Sequence, residues 1–280
     1  MNSNDNALNH RSLALITGGS SGIGYALAKQ YYQQGYSLVL VGRDEKKLRQ
    51  AAAKLVNQKR KYGKKSNQEK SRCGGMVETV SCDLTRQEEC TRLHELYRDR
   101  QVDVLVNCAG FGVHGDFAET DVQKELDMLD VNCRSLHLLM KLFLRDMQKR
   151  GGGTILNVAS SAGLVPGGPY MAAYYATKSY VVSLTRSVAE ELRAQHSPVY
   201  VAALCPGPVD TPFFGRAGIG TAGKAASPDG VAQAAMRGMK QKMTVIVPGL
   251  SNQLACAASK VLPGNMILAV NRRIQEKKRR

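Results

Sequence analysis

The chain has no apolar run approaching the ~18–20 residues that span a bilayer. Its opening, MNSNDNALNHRS, is polar, and no apolar run precedes Leu13. That argues against a secretory leader. The seven cysteines form no CxxC pair and no metal-ligand spacing. An odd, unpatterned set predicts reduced thiols, a cytoplasmic setting and no metal site. Internal repeats and long linkers are also missing. A length of 280 residues can bury a sizeable core, and the expectation is a single domain covering 1–280.

Acidic residues are outnumbered by basic ones, 23 against 39, for a formal net charge of +16. Such an excess invites a nucleic-acid reading, so its distribution decides. KRKYGKKSNQEKSR, Lys59–Arg72, holds seven basic residues and one acid. RRIQEKKRR, Arg272–Arg280, holds six basic residues and one acid. Together they supply +11 of the +16. The charge therefore sits in a basic insertion, 58–74, and at the end of a C-terminal helical extension, 249–280, not across a binding face. This argues against nucleic acid as a partner. Two readings stay open: solvated segments, or peripheral contact with an anionic membrane.

Apolar strand-like runs alternate with helical patterns. LALIT, SLVLVG, MVETVSCD, VDVLVN, TILNVAS, VYVAALCP and TVIVP read as strands. GIGYALAKQYYQQG, closed by Gly35, and DEKKLRQAAAKLV read as helices, as do Asp121–Arg150 and Tyr170–Ala194. Strands this apolar are buried on both faces, which requires a parallel sheet covered by helices. The prediction is an α/β fold, a Rossmann-type doubly wound parallel sheet in three layers.

Ligands of such sheets bind at the C-terminal strand ends. The first strand ends in TGGSSGIG, Thr17–Gly24. Glycines at 18, 22 and 24 let backbone approach a phosphate, and the N–H groups of the following helix face the anion. Further along stand NCAG at Asn107–Gly110, VASS, a Tyr-x-x-x-Lys at Tyr174–Lys178, and PGPVDTP at Pro206–Pro212. In this order the five motifs resemble the short-chain dehydrogenase/reductase family, most closely its bacterial-type NADP-dependent oxidoreductases of unassigned substrate. The resemblance covers roughly residues 11–215.

The stretch YYATK poses a choice. Tyr174 and Lys178 are i and i+4, while Tyr175 and Lys178 are i and i+3. Either phenol would lie beside the ammonium, and a nearby cation would lower a tyrosine pKa from ~10. Helical spacing alone leaves both open; the family register implies Tyr174. By that resemblance Tyr174 exchanges a proton with the substrate oxygen. Lys178 tunes the phenol and holds the nicotinamide ribose, a serine holds the carbonyl oxygen, and Asn132 supports a proton relay. Counting thirteen residues back from Tyr174 implies Ser161. Aligning Gly163 three after the serine implies Ser160, with the extra residue in the PGGP loop. Ser160 is preferred and Ser161 is the alternative.

The resemblance also implies the cofactor contacts. They comprise Thr17, Gly18, Ser20, Ser21, Gly22, Ile23 and Gly24 in the glycine turn, and Asp83 and Leu84 at the adenine. Asn107, Ala109 and Gly110, together with Tyr174 and Lys178, line the middle, and Pro206, Gly207, Val209 and Thr211 lie at the carboxamide. At the end of the second strand stand Arg43 and Asp44. An arginine there suits the 2′-phosphate of NADP(H), and Asp44 can cap the next helix. NADP is the expected cofactor. The expected partners are a small carbonyl or alcohol substrate, and a homodimer or homotetramer.

Candidate pocket residues are Phe111, His114, Asp116, Tyr170, Met171, Phe213 and Phe214, whose character suits a hydrophobic ketone. The loop GRAGIGTAGKAASPDG is expected to move as a lid. The C-terminal extension reads as two helices broken at Pro263–Gly264, with Met266, Ile267, Leu268 and Val270 covering the pocket or a partner, or resting in a membrane interface. Two other functions compete with an NADP-dependent oxidoreductase. One is a catalytically idle NADP-binding regulator; the other is a lipid- or nucleic-acid-associated protein.

Overall fold

A computed structural model describes residues 12–62, 75–219 and 225–277, with residues 58–62 and 216 described in backbone only. The side chains of the basic insertion, residues 220–224 of the expected lid and the terminal 278–280 lie outside the described residues.

The described residues build a seven-stranded parallel sheet: β1 (Leu13–Thr17), β2 (Ser37–Gly42), β3 (Val77–Ser81), β4 (Val102–Asn107), β5 (Gly153–Val158), β6 (Val199–Leu204) and β7 (Val245–Ile246). Their order is β3-β2-β1-β4-β5-β6-β7. The order reverses between β1 and β4, and a crevice opens there at the C-terminal strand ends. The helices are α1 (Gly22–Gln33), α2 (Glu45–Tyr62), α3 (Gln87–Tyr97), α4 (Val122–Leu129), α5 (Leu136–Arg150), α6 (Ala172–Ala194), α7 (Phe213–Arg216), α8 (Pro228–Lys240), α9 (Leu250–Ala258) and α10 (Gly264–Lys277).

Side chains alternate across the sheet, so each strand feeds two cores. Ile16, Leu40 and Val106 pack against Leu27 of α1, Leu48 and Leu55 of α2, and Val231 of α8. Leu15, Val39 and Leu105 pack against Leu93 of α3, Phe143 of α5 and Leu192 of α6. The three layers follow. Each fully buried Leu, Ile or Phe contributes roughly 1.5–3 kcal/mol, which is why these runs read so clearly as buried strands.

The segment expected as one helix over Asp121–Arg150 is not uniform. Asp121 caps α4 by accepting from the N–H groups of Gln123 and Lys124. Between α4 and α5, Asp130–Ser135 is a π-helical turn. The wider turn carries one residue more per bond ring than an α-helix. It turns Val131, Asn132 and Ser135 inward together, where all three are buried. At the other end of the chain α9 and α10 are separated around Pro263, as the sequence suggests. Among the described residues no helix is long and apolar enough to cross a membrane.

Candidate active site

A cleft of about 760 Å³ runs along the C-terminal ends of the central strands. The glycine turn after β1 forms its floor. Gly18 adopts φ +67, and a Cβ there would lie 3.0 Å from the backbone of Ala109. At Gly24 a Cβ would come 2.3 Å from the Gly18 carbonyl oxygen, so α1 can start this close to β1 only with glycine. Ser21 precedes α1 without capping it through its side chain, and the first turn holds no acid. The first N–H groups of α1 are thus left for an anion, favoured by the helix dipole. Ser20, Ser21, Gly22 and Ile23 line the cleft with them, as do Leu84, Ala109, Gly110, Pro206, Gly207, Val209 and Thr211. These features fit a dinucleotide: backbone that approaches closely, bare N–H groups and no acid in the first turn of α1.

Three residues expected at the cofactor stand behind the wall instead of on it. The Thr17 hydroxyl accepts from the N–H groups of Cys108 and Ala109 at 2.9 and 3.1 Å, pinning the end of β4 to that of β1. Asp83 accepts from the Thr85 N–H and hydroxyl. Asn107 is buried and donates to Asn157 Oδ1 at 2.9 Å. Asn157 in turn donates to Thr185 Oγ1 of α6.

Asp44 accepts from the Lys47 N–H at 2.9 Å and pairs with its ammonium at 2.9 Å. Its carboxylate, held low by those bonds, is committed to the start of α2. Arg43 lines the cleft beside it, exposed at the end of β2.

Of the four residues expected to carry chemistry, Ser160, Tyr174 and Lys178 line the far end of the cleft, and Asn132, fully buried, stands behind it. Asn132 Oδ1 accepts from the Phe111 N–H at 3.1 Å, and its Nδ2 donates to Phe111 O and Thr177 Oγ1. Gly110 separates it from Lys178: a Cβ there would lie 2.9 Å from Asn132 Oδ1 and 3.4 Å from Lys178 Nζ. Lys178 Nζ donates to Val158 O at 3.1 Å and lies 5.8 Å from the Tyr174 ring centroid. Ser160 starts a short 3₁₀ turn, Ser161–Leu164, accepting from the Ala162 N–H at 3.2 Å. Its hydroxyl also lies close enough to the Tyr174 phenol to lower its pKa. Ser161 donates its backbone N–H to Pro206 O. Both serines line the cleft.

The electrostatics differ from the sequence expectation. Burial pushes the Tyr174 phenol up to about 12, the Ser160 hydroxyl only partly opposing it. Burial likewise lowers the pKa of Lys178. Helical spacing gives the neighbours correctly, but desolvation is the largest cause of both shifts in this fold. Desolvation pushes the thiols of Cys108, half-buried in the cleft wall, and of Cys205, buried, each up to about 12, which makes them poor nucleophiles.

Tyr175 is committed elsewhere. Its hydroxyl accepts from Gln275 Nε2 of α10 at 3.1 Å. Met171, Phe213, Phe214 and Phe111 line the substrate end as expected, joined by Ile219 and Gln275. His114 and Asp116 do not line it. His114 Nε2 meets the Gln275 backbone oxygen at 3.3 Å, and Asp116 is exposed. Tyr170, at φ +66, bonds Glu276 of α10 at 3.3 Å. Of the apolar start of α10, Ile267 is buried and Leu268 packs on Gly167, whereas Met266 and Val270 are 56% and 55% exposed. Sequence reading missed Gln275, Lys124 and Asp127, all in the cleft wall. The two α4 residues were findable as polar positions one and two turns ahead of Asn132.

Residues 12–218 match the family model described as short chain dehydrogenase. An uncharacterised oxidoreductase of Staphylococcus saprophyticus is 33% identical over 237 residues, covering 84% of this chain and 94% of that protein. Among solved structures, a short-chain dehydrogenase from Sphingobium yanoikuyae in complex with NADPH superposes with a TM-score of 0.76. It is 29% identical and covers 89% of this chain and 93% of its own. The bulky-bulky ketone specific alcohol dehydrogenase from Comamonas testosteroni gives 0.72 at 26% identity, covering 90% and 94%.

Proposed function

Because the chain belongs to the short-chain dehydrogenase family, it is a nicotinamide-dependent oxidoreductase, and we propose that it works with NADP(H) on a hydrophobic ketone or the corresponding secondary alcohol. One observation carries the reading: Ser160, Tyr174 and Lys178 line one cleft together with a glycine turn and Arg43, and Asn132 meets Lys178 from behind that wall across Gly110.

When bound, NADPH would supply the hydride. The glycine turn and the N-terminus of α1 would hold its pyrophosphate, Arg43 its 2′-phosphate, and Lys178 its nicotinamide ribose. Ser160 holds the carbonyl oxygen of the substrate and orients it at Tyr174. Tyr174, protonated at neutral pH, donates to that oxygen as carbon is reduced, and takes the proton back in oxidation. Asn132 fixes the Phe111 backbone beside Lys178 and supports the path along which the proton is replaced. The apolar lining of Met171, Phe213, Phe214 and Ile219 suits a hydrophobic substrate. NADPH absorbance followed over a panel of ketones tests the reading. Turnover of an apolar ketone is expected. NADPH binding with no turnover anywhere in the panel would favour an idle regulator instead.

A second reading concerns the outer face of the C-terminal helices. Leu250, Leu254, Val261 and Leu262 are exposed, as are Met266, Val270 and Ile274 at i, i+4 and i+8 of α10. Arg272, Arg273 and Lys277 are exposed beside them. An apolar stripe flanked by cations suits an anionic lipid surface. Sedimentation with phosphatidylserine vesicles is expected to pull the protein down at low salt, and Met266→Ser with Val270→Ser and Ile274→Ser to release it. No binding by the intact protein would refute this reading. The stripe Val122, Leu126 and Leu129 is likewise exposed on α4 and supports self-association, which light scattering tests; a monomer would refute it.

A further inference from the structure

Gln275 is buried to 3% exposure, lines the cleft, and has one amide atom in use and one spare. Its Nε2 donates to the Tyr175 hydroxyl at 3.1 Å. Its Oε1 is buried and makes no hydrogen bond among the described residues. Buried acceptors in native proteins are nearly always satisfied, and leaving one unpaired is costly. An unpaired oxygen in the wall of a ligand cleft is therefore a statement about the ligand.

The position of this amide is built. α10 is tied to the loop ahead of Tyr174 by Asn271 Nδ2 donating to Gly167 O at 2.6 Å. Tyr170 donates to Glu276, and His114 meets the Gln275 backbone oxygen. The partner ring is fixed as well. A Cβ at Gly168 would lie 2.2 Å from Tyr175 Cε2, so the ring lies against bare backbone and cannot swing that way. Tyr174 and Tyr175 have ring centroids 6.2 Å apart and nearly perpendicular. The proton-donating phenol and the spare amide oxygen thus belong to one end of one cleft, separated by a ring and a hydrogen bond. The walls between are apolar, formed by Met171 and the Phe213–Phe214 pair.

We propose that Gln275 is a specificity-determining residue whose Oε1 accepts a hydrogen bond from a second polar group of the substrate. The substrate class is then a ketone, or its secondary alcohol, bearing a distal hydroxyl or N–H group across an apolar spacer. The inference rests on the oxidoreductase reading above and narrows it. α10 lies outside residues 12–218, the part shared with the family model, so it is a place where this chain can set its own preference.

The test uses matched aliphatic ketones of increasing length, each with either a terminal methyl or a terminal hydroxyl, assayed with NADPH. A site built to bond a substrate hydroxyl rejects the analogue lacking it. At one chain length the wild-type protein is expected to favour the hydroxylated ketone about ten- to a hundredfold in kcat/KM, mainly through KM. Gln275→Met, close in volume, is expected to lose that preference while still reducing the methyl-ended ketone. Gln275→Glu keeps an acceptor oxygen and is expected to retain the preference. Turnover by wild type with no preference at any length overturns the proposal, and so does an equal loss on both ketones in Gln275→Met at unchanged melting temperature. Should Gln275→Met fail to fold, Gln275→Leu takes its place, and absence of a wild-type preference still overturns the proposal. Absence of turnover of every ketone is a different result: it overturns the oxidoreductase reading, and this inference with it.

Discussion

A Cβ at Gly163 would lie 2.3 Å from the carbonyl oxygen of Lys178 and 2.5 Å from its carbonyl carbon. The turn that carries Ser160 therefore presses on the backbone of the helix that carries Tyr174 and Lys178. Nothing at that contact is a flexible side-chain end, so relief requires moving the turn or the helix. Gly163→Ala is expected to cost about 1–3 kcal/mol by overpacking, and to reduce kcat further by drawing Ser160 away from Tyr174. Urea unfolding and steady-state rates check both parts. A variant with normal stability and rate would mean that the turn and α6 are not coupled.

The two adjacent tyrosines separate by partner. Tyr174 faces Ser160, whereas Tyr175 is bonded to Gln275. Tyr174→Phe is expected to lower turnover by ~10²–10⁴, the usual worth of a general acid, with NADPH affinity unchanged within a few-fold. Tyr175→Phe is expected to retain turnover of a simple apolar ketone. If Tyr175→Phe is instead the inactive variant, the assignment is reversed.

Cofactor preference hangs on Arg43, because Asp44 is spent on the start of α2. Arg43→Ala is expected to weaken NADPH by ten- to a hundredfold, a charge-assisted hydrogen bond being worth roughly 1.5–3 kcal/mol. NADH, which lacks the 2′-phosphate, should be little affected. Titration of both cofactors by fluorescence decides it, and equal losses would remove the NADP assignment.

Burial sets opposite pH trends for the central pair. The pKa of Lys178 is lowered in the fold, so its charged form is disfavoured there. The cost is fully present below the depressed folded pKa and vanishes above the unfolded one. Lys178→Met is therefore expected to leave the empty protein as stable at pH 7, or more so, while abolishing turnover. Tyr174 goes the other way. Its raised pKa means stability complete below the unfolded value near 10 and lost as pH climbs toward about 12. Melting curves of wild type and both variants from pH 7 to 11 test the signs. A Lys178→Met protein that melts well below wild type would show the lysine to be a net support of the fold.

Much of the architecture was legible because its causes are local. Strands such as LALIT and SLVLVG are apolar on both faces and form β1 and β2 over the same residues. Gly35 ends the first helical pattern, and it does adopt φ +95 after α1. What was not legible has distant causes. Tyr174 and Tyr175 both neighbour Lys178 along the helix, and only partners from other elements, Ser160 and Gln275, tell them apart. Gln275 lies 100 residues from Tyr175 in the chain, and an isolated glutamine carries no chemical signature. The upward shift of Tyr174 needed the whole buried environment and not the one cation that the spacing supplies.

The π turn at Asp130–Ser135 has a consequence for how this chain tolerates change. Asn132 is held by Phe111 and Thr177, 21 and 45 residues away, while the face of α5 is held by the sheet. The two anchors fit a single helix only because the turn contains a surplus residue. Removing one residue there would give a more regular helix. It would also rotate everything on one side by about 100°, so that either Asn132 or the Leu139–Phe143–Met147 face would leave its place. Length variation in this stretch is thus confined to its two ends, and the most regular version of this helix is one the protein cannot use.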